Sequence, residues 1–118
     1  MRALLIISLW LCGTLSAAAM DTESGNAFLP GCIAEQENSV VANYPLAYSR
    51  GICSGALQAL FSVSTALVPD LKFCPPPGAT LGQSVRVVVA FLEANPQRLH
   101  LPFVTLSIEA LRKGWLCK

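Results

Sequence analysis

Histidine is almost missing from this chain of 118 residues, His100 being the only one. A zinc site needs at least three suitably spaced ligands, and one imidazole does not supply them once cysteines are oxidised, so no metal is expected. A cysteine hydrolase needs a thiolate beside a histidine. Cys53 or Cys74 with His100 is a conceivable dyad, but a disulfide would remove either nucleophile. There is no G-x-S-x-G elbow for serine chemistry and no C-x-x-C redox pair. Glu93 and Glu109 could be imagined as a carboxylate pair, yet each falls on the expected wet face of a helix. The chain therefore reads as a protein that is not an enzyme and needs no cofactor.

Net charge is also missing. Discounting Arg2, which lies in the leader described next, leaves seven basic against seven acidic side chains. That balance gives no electrostatic basis for binding nucleic acid. Long apolar runs are lacking beyond the start of the chain, because the best later candidate, Leu99 to Leu111, carries His100, Pro102 and Glu109. A bilayer needs about 18 or more apolar residues in succession.

What is present begins with Met1-Arg2, an apolar core from Ala3 to Gly13, and the small residues Ala17-Ala18-Ala19, the layout of a secretory signal cleaved after Ala19. A lipoprotein reading at Cys12 is disfavoured by Leu11, which occupies a position where a small residue is expected. Residues 20–118 then form one small domain, outside the cytoplasm and free of the membrane. Cys32, Cys53, Cys74 and Cys117 remain, an even number in a small exported chain and hence a disulfide framework. Four cysteines allow three connectivities, and the spacing alone leaves all of them open. The favoured one joins Cys53 to Cys74, which flank one helix, and Cys32 to Cys117, which would tie the ends together.

The pattern of the domain is helical. From Ala47 to about Val68, Ile52, Ala56, Leu60 and Val63 recur at threes and fours, with Gly51 and Gly55 as small residues where another backbone could come close. Pro75 to Pro77 then forbid helix, so a new one starts after Gly78. Thr80 and Gln83 read as its capping box. Val85, Val88, Val89 and Leu92 form its buried stripe, Arg86 and Glu93 stay wet, and Asn95-Pro96 ends it. A last helix opens near Pro102, with Leu101, Val104, Ile108, Leu111 and Trp115 as its face. Ahead of these, Ala27 to Gln36 could hold a short helix that Pro30-Gly31 interrupts. No strand-like alternation is sustained. The predicted fold is an all-α, disulfide-stapled bundle of three to four helices.

The connection from Asn38 to Tyr48 is polar and proline-marked, and it carries Tyr44 and Tyr48, residues suited to partly wet interfaces. The plainer reading is two half-buried loop tyrosines. The turn Pro75 to Gly78 is the alternative contact surface.

Several of these features recur together elsewhere. Cys53-Ser54-Gly55 opening the long helix, Cys74-Pro75 with Gly78, Thr80 and Gln83, the run Val88 to Leu92, Asn95-Pro96, and Ala110-Leu111 with Trp115 and Cys117 resemble the Tai/Rap family of type VI secretion immunity proteins. The likeness runs from about Ser24 to Cys117, with departures at Ala56, Ala59 and Leu116. It implies a periplasmic helical protein, commonly a homodimer, that neutralises a peptidoglycan amidase effector delivered by a neighbouring cell. The rival expectation is a general periplasmic binding or stress protein on the same scaffold with no cognate effector.

Overall fold

The computed structural model describes residues 23–118; the expected signal sequence, the expected cleavage after Ala19 and Cys12 lie outside that range. Four α-helices follow in order: α1 (Gly25–Gln36), α2 (Tyr44–Val63), α3 (Leu81–Ala94) and α4 (Phe103–Gly114). Short 3-10 turns follow α2 and α3, at Ser64–Ala66 and Pro96–Arg98. Helices α1 and α2 pack most closely, α3 lies against both, and α4 pairs with α3. The core between them is made by Phe28, Leu57, Phe73, Val85, Val88, Leu92, Phe103, Leu106 and Leu111, around the disulfide of Cys32 and Cys53.

α1 is continuous, contrary to the expected break at Pro30-Gly31. Proline removes its own amide from the ladder. One residue on, the Ser49 hydroxyl of α2 accepts from the Gly31 amide at 3.0 Å and donates to the Ala27 carbonyl at 2.9 Å, a pair that an uninterrupted helix would join directly. The neighbouring helix thus completes the turn that proline weakens. Its backbone can come this close because residue 31 has no Cβ: one built there would lie 2.2 Å from the Ser49 carbonyl carbon. Gly51 and Gly55, expected to make such a contact, have nothing within 4 Å of a built Cβ. They sit on the outer face of α2, which is therefore a flank of the bundle and not its middle.

α2 also starts three residues earlier than Ala47 and ends at Val63, before Pro69. Its buried line is Ser49, Cys53 and Leu57, while Val63 is exposed. A search for apolar periodicity misses that line because two of its three members are a hydroxyl and a cysteine. In α4 the buried line is likewise Phe103, Leu106, Ser107, Ala110 and Leu111, and Val104 faces out. Pro102 occupies the N-cap position of α4, one residue ahead of its first turn, and makes no side-chain capping bond.

α3 runs from Leu81 to Ala94, with both bonds of the capping box formed: Gln83 amide to Thr80 hydroxyl at 3.2 Å, and Thr80 amide to Gln83 Oε1 at 2.8 Å. Gly78, at φ 85°, takes the left-handed conformation that closes the proline turn before it. Val85, Val88, Val89 and Leu92 are buried, and Arg86 and Glu93 are exposed.

The starts of α1 and α4 cap each other through backbone. The Gly25 and Asn26 amides, two of the orphan donors of the first turn, reach the Leu101 and Leu99 carbonyls at 3.0 and 2.9 Å, and the Phe103 amide returns to Glu23 at 2.7 Å.

The disulfides are Cys32–Cys53 and Cys74–Cys117, not the favoured Cys53–Cys74 and Cys32–Cys117. Cys53 lies midway along α2 on the buried line that meets α1, whereas Cys74 lies beyond the helix beside the C-terminal tail. The close α1–α2 approach instead sets the Cα atoms of Cys32 and Cys53 5.3 Å apart. Loops of 21 and 43 residues are closed, worth roughly 3 and 4 kcal/mol in the chain-entropy picture.

Candidate functional site

Tyr44 and Tyr48 lie in the first two turns of α2 and not in a loop. Asn43 caps that helix, its side chain accepting from the Leu46 amide at 3.0 Å, and Pro45 fits the first turn where no amide partner is needed. The two tyrosines are four residues apart, so they share a face, and their rings stack at 6.2 Å with 24° between planes. Tyr44 is 79% exposed and Tyr48 44%.

The true connection, residues 37–43, is anchored at its near end. Asn38 adopts φ 51°, and the Asn38 and Ser39 amides bond back to the Glu35 and Ala34 carbonyls at 3.2 and 3.0 Å. This is the Schellman closure of a helix, with asparagine in the place glycine usually takes. Arg50 of α2 then grips the same corner, reaching the Glu35 carboxylate at 2.6 Å, the Ser39 carbonyl at 2.7 Å and the Asn38 side chain at 3.3 Å. Past that grip, Val40 projects almost wholly into solvent. Nothing in the sequence spacing marks Arg50 for this role; the only signal was a lone charge in an otherwise uncharged helix.

On the other side of Tyr48 opens an apolar cavity of about 360 Å³. Tyr48 and Ile52 of α2, Pro102, Phe103 and Val104 at the start of α4, and Phe28 of α1 line it, with Glu23 as its one charged residue. Phe28 and Phe103 meet edge to face at 5.3 Å, which fixes the floor. Sequence reasoning missed this pocket, although Val104, an apolar residue off the buried line of its helix, is the kind of residue that points to one. The turn Pro75 to Gly78 and the cap residues Thr80 and Gln83 contribute nothing to its lining.

Charge is handled elsewhere. Arg98 grips Glu109 with both terminal guanidinium nitrogens, at 2.9 and 2.6 Å, and Lys113 adds a third contact at 3.1 Å. Hydrogen bonds from Arg98 and then Lys113 hold the Glu109 carboxyl down at about 2. Both cations also lie over the Phe91 ring, so Glu109 is not the freely solvated acid that its helical position suggested.

All four described cysteines are disulfide-bonded and His100 is exposed in the turn before α4. Among the described residues no three histidine, cysteine or acidic side chains gather as a metal site. No helix among them is long and apolar enough to cross a membrane. What the surface offers at α2 is shape: an aromatic pair, a projecting valine and an apolar pocket.

A protein-family model described as Rap1a immunity proteins matches residues 24–117. No curated protein and no solved structure matches the chain.

Proposed function

Because the chain belongs to the Rap1a immunity protein family, whose members are inhibitors and not enzymes, we propose that it binds and blocks a peptidoglycan amidase effector delivered into the periplasm by a neighbour's type VI secretion apparatus. The family match over nearly the whole described chain is the observation that carries this reading. Inhibition is by occlusion, with Val40, Tyr44 and Tyr48 as the contact surface and the pocket beside Tyr48 receiving an apolar side chain of the effector. Exposed tyrosines on a rigid helix give contact area at low entropic cost, and the Arg50 grip keeps the adjoining corner fixed before binding.

The protein reaches the periplasm by cleavage after Ala19, a reading supported by the two disulfides. A homodimer belongs to the same proposal, supported by the exposed Val63 at the end of α2 and Val68 and Leu71 beyond it. Light scattering tests it, and a monomer would remove the dimer while leaving inhibition untouched.

The deciding experiment titrates the purified mature protein against the amidase encoded at the same locus. One-for-one loss of activity, with kcat restored on dissociation, is expected; substoichiometric inhibition overturns the occlusion model. Tyr44→Ala with Tyr48→Ala should weaken inhibition at unchanged stability, and full inhibition by that variant would move the contact surface elsewhere.

A further inference from the structure

The two disulfides occupy opposite environments. Cys32 and Cys53 are 0% exposed, sealed between α1 and α2. Cys117 is exposed and Cys74 only half-buried. The second bond joins no two helices; it clasps the tail beyond α4 to the irregular segment before α3. One backbone bond accompanies it, from the Cys74 amide to the Trp115 carbonyl at 2.9 Å. The Trp115 ring rests edge-on against Phe61 of α2 at 6.2 Å. Leu71 and Leu116, one on each side of the clasp, line a groove of about 490 Å³ whose other wall is α4, with Ile108, Arg112 and the Glu109–Lys113 pair.

We propose that Cys74–Cys117 is a redox clasp: a dithiol reductant opens it in the folded protein while Cys32–Cys53 stays closed, so that the groove on α4 exists only in the oxidised form. A thiolate of the reductant attacks Sγ of Cys117, the exposed member of the pair, a mixed disulfide forms, and Cys74 leaves as thiolate and takes a proton from water. The second thiol of the reductant then attacks its own sulfur in the mixed disulfide, releasing Cys117 as a thiol. The cysteine pair gains two electrons and two protons, and the dithiol departs as a cyclic disulfide. Attack on Cys32 or Cys53 requires α1 and α2 to part, which is an opening of much of the fold. With the clasp open, Trp115 keeps its two backbone bonds, to the Leu111 carbonyl and from the Cys74 amide, and its contact with Phe61, none of which holds Leu116 opposite Leu71. This inference does not depend on which effector the protein binds.

Native-state reduction tests it. The oxidised mature protein is held in dithiothreitol without denaturant, sampled into iodoacetamide and peptide-mapped, while the emission of Trp115, the only tryptophan from Met20 onward, is followed in parallel. Cys74 and Cys117 should be alkylated at least about tenfold faster than Cys32 and Cys53, because the buried pair reacts only through rare opening. Trp115 emission should shift to the red with the first pair, and the helical far-UV signal should persist. Simultaneous alkylation of all four, or of Cys32 and Cys53 first, overturns the clasp. Selective alkylation with unchanged Trp115 emission overturns the groove's dependence on it. A Cys74→Ser/Cys117→Ser variant should fold and form Cys32–Cys53; if it loses its helices, the bond is part of the fold and not a switch.

Discussion

A methyl group at residue 31 would sit 2.2 Å from one backbone atom of α2 and 2.3 Å from the next, and backbone cannot turn aside as a side chain can. Gly31→Ala should therefore force α1 from α2 and cost about 2–3 kcal/mol in chemical denaturation. Gly55, with open space around it, should respond in the opposite sense: Gly55→Ala removes unfolded-state freedom and should stabilise by up to about 1 kcal/mol. Equal effects at the two sites would mean that the helices do not meet at Gly31. Glu109 sets a pH dependence. Its carboxyl is held at about 2 in the folded protein against an ordinary 4.5, chiefly by the Arg98 hydrogen bonds. Folding favours the ionised form, so this contribution is full above 4.5 and fades as pH falls towards 2. Glu109→Gln should lower Tm at neutral pH, and its deficit against the natural protein should shrink across that acid window. A deficit independent of pH would assign the loss to packing.

Helices here begin where side chains or neighbouring backbone satisfy their first amides. α3 starts with a local device, and Thr80→Ala should cost about 1 kcal/mol in denaturant titration while leaving inhibition of the effector unchanged. A stability change within error of zero would mean that Gln83 and solvent suffice. α2 is capped as locally, by Asn43, which is why its first turns hold Tyr44 and Tyr48 rigidly on one face. α1 and α4 differ, since their first amides are taken up by each other's approach segments. Pro102 advertised the start of α4, and Ser24 caps α1 locally, its hydroxyl accepting from the Ala27 amide at 3.3 Å; the partners of the Gly25 and Asn26 amides, Leu101 and Leu99, lie more than seventy residues on, where no local pattern announces them.

At the scale of the molecule, one disulfide pins α1 to α2 and the other clasps the tail to the segment before α3. Non-reducing peptide mapping of the exported protein should return the peptides Cys32–Cys53 and Cys74–Cys117, with no free thiol and an intact mass beginning at Met20. Any other pairing would contradict the packing of α1 on α2. A species still carrying Met1, or a lipid on Cys12, would remove the export route by cleavage after Ala19. The candidate contact surface belongs to this scale as well, since its pocket is closed by Phe28, Ile52 and Phe103, residues that come from three helices.

The all-α class and the limits of α3 were legible in the sequence because their causes are local: three prolines that forbid helix, a Thr80–Gln83 cap reaching three residues, and a valine stripe repeating at the helical period. Tyr44 and Tyr48 stand out by residue type alone, and their place on α2 and not in a loop does not follow from it. Tertiary structure alone decided the continuity of α1 through Pro30, the pairing of the cysteines and the pocket beside Tyr48. Each depends on which helix faces which. The Ser49 hydroxyl can complete the turn at Gly31, and Cys32 can meet Cys53, only once two helices stand backbone to backbone, a distance that no spacing along the chain encodes.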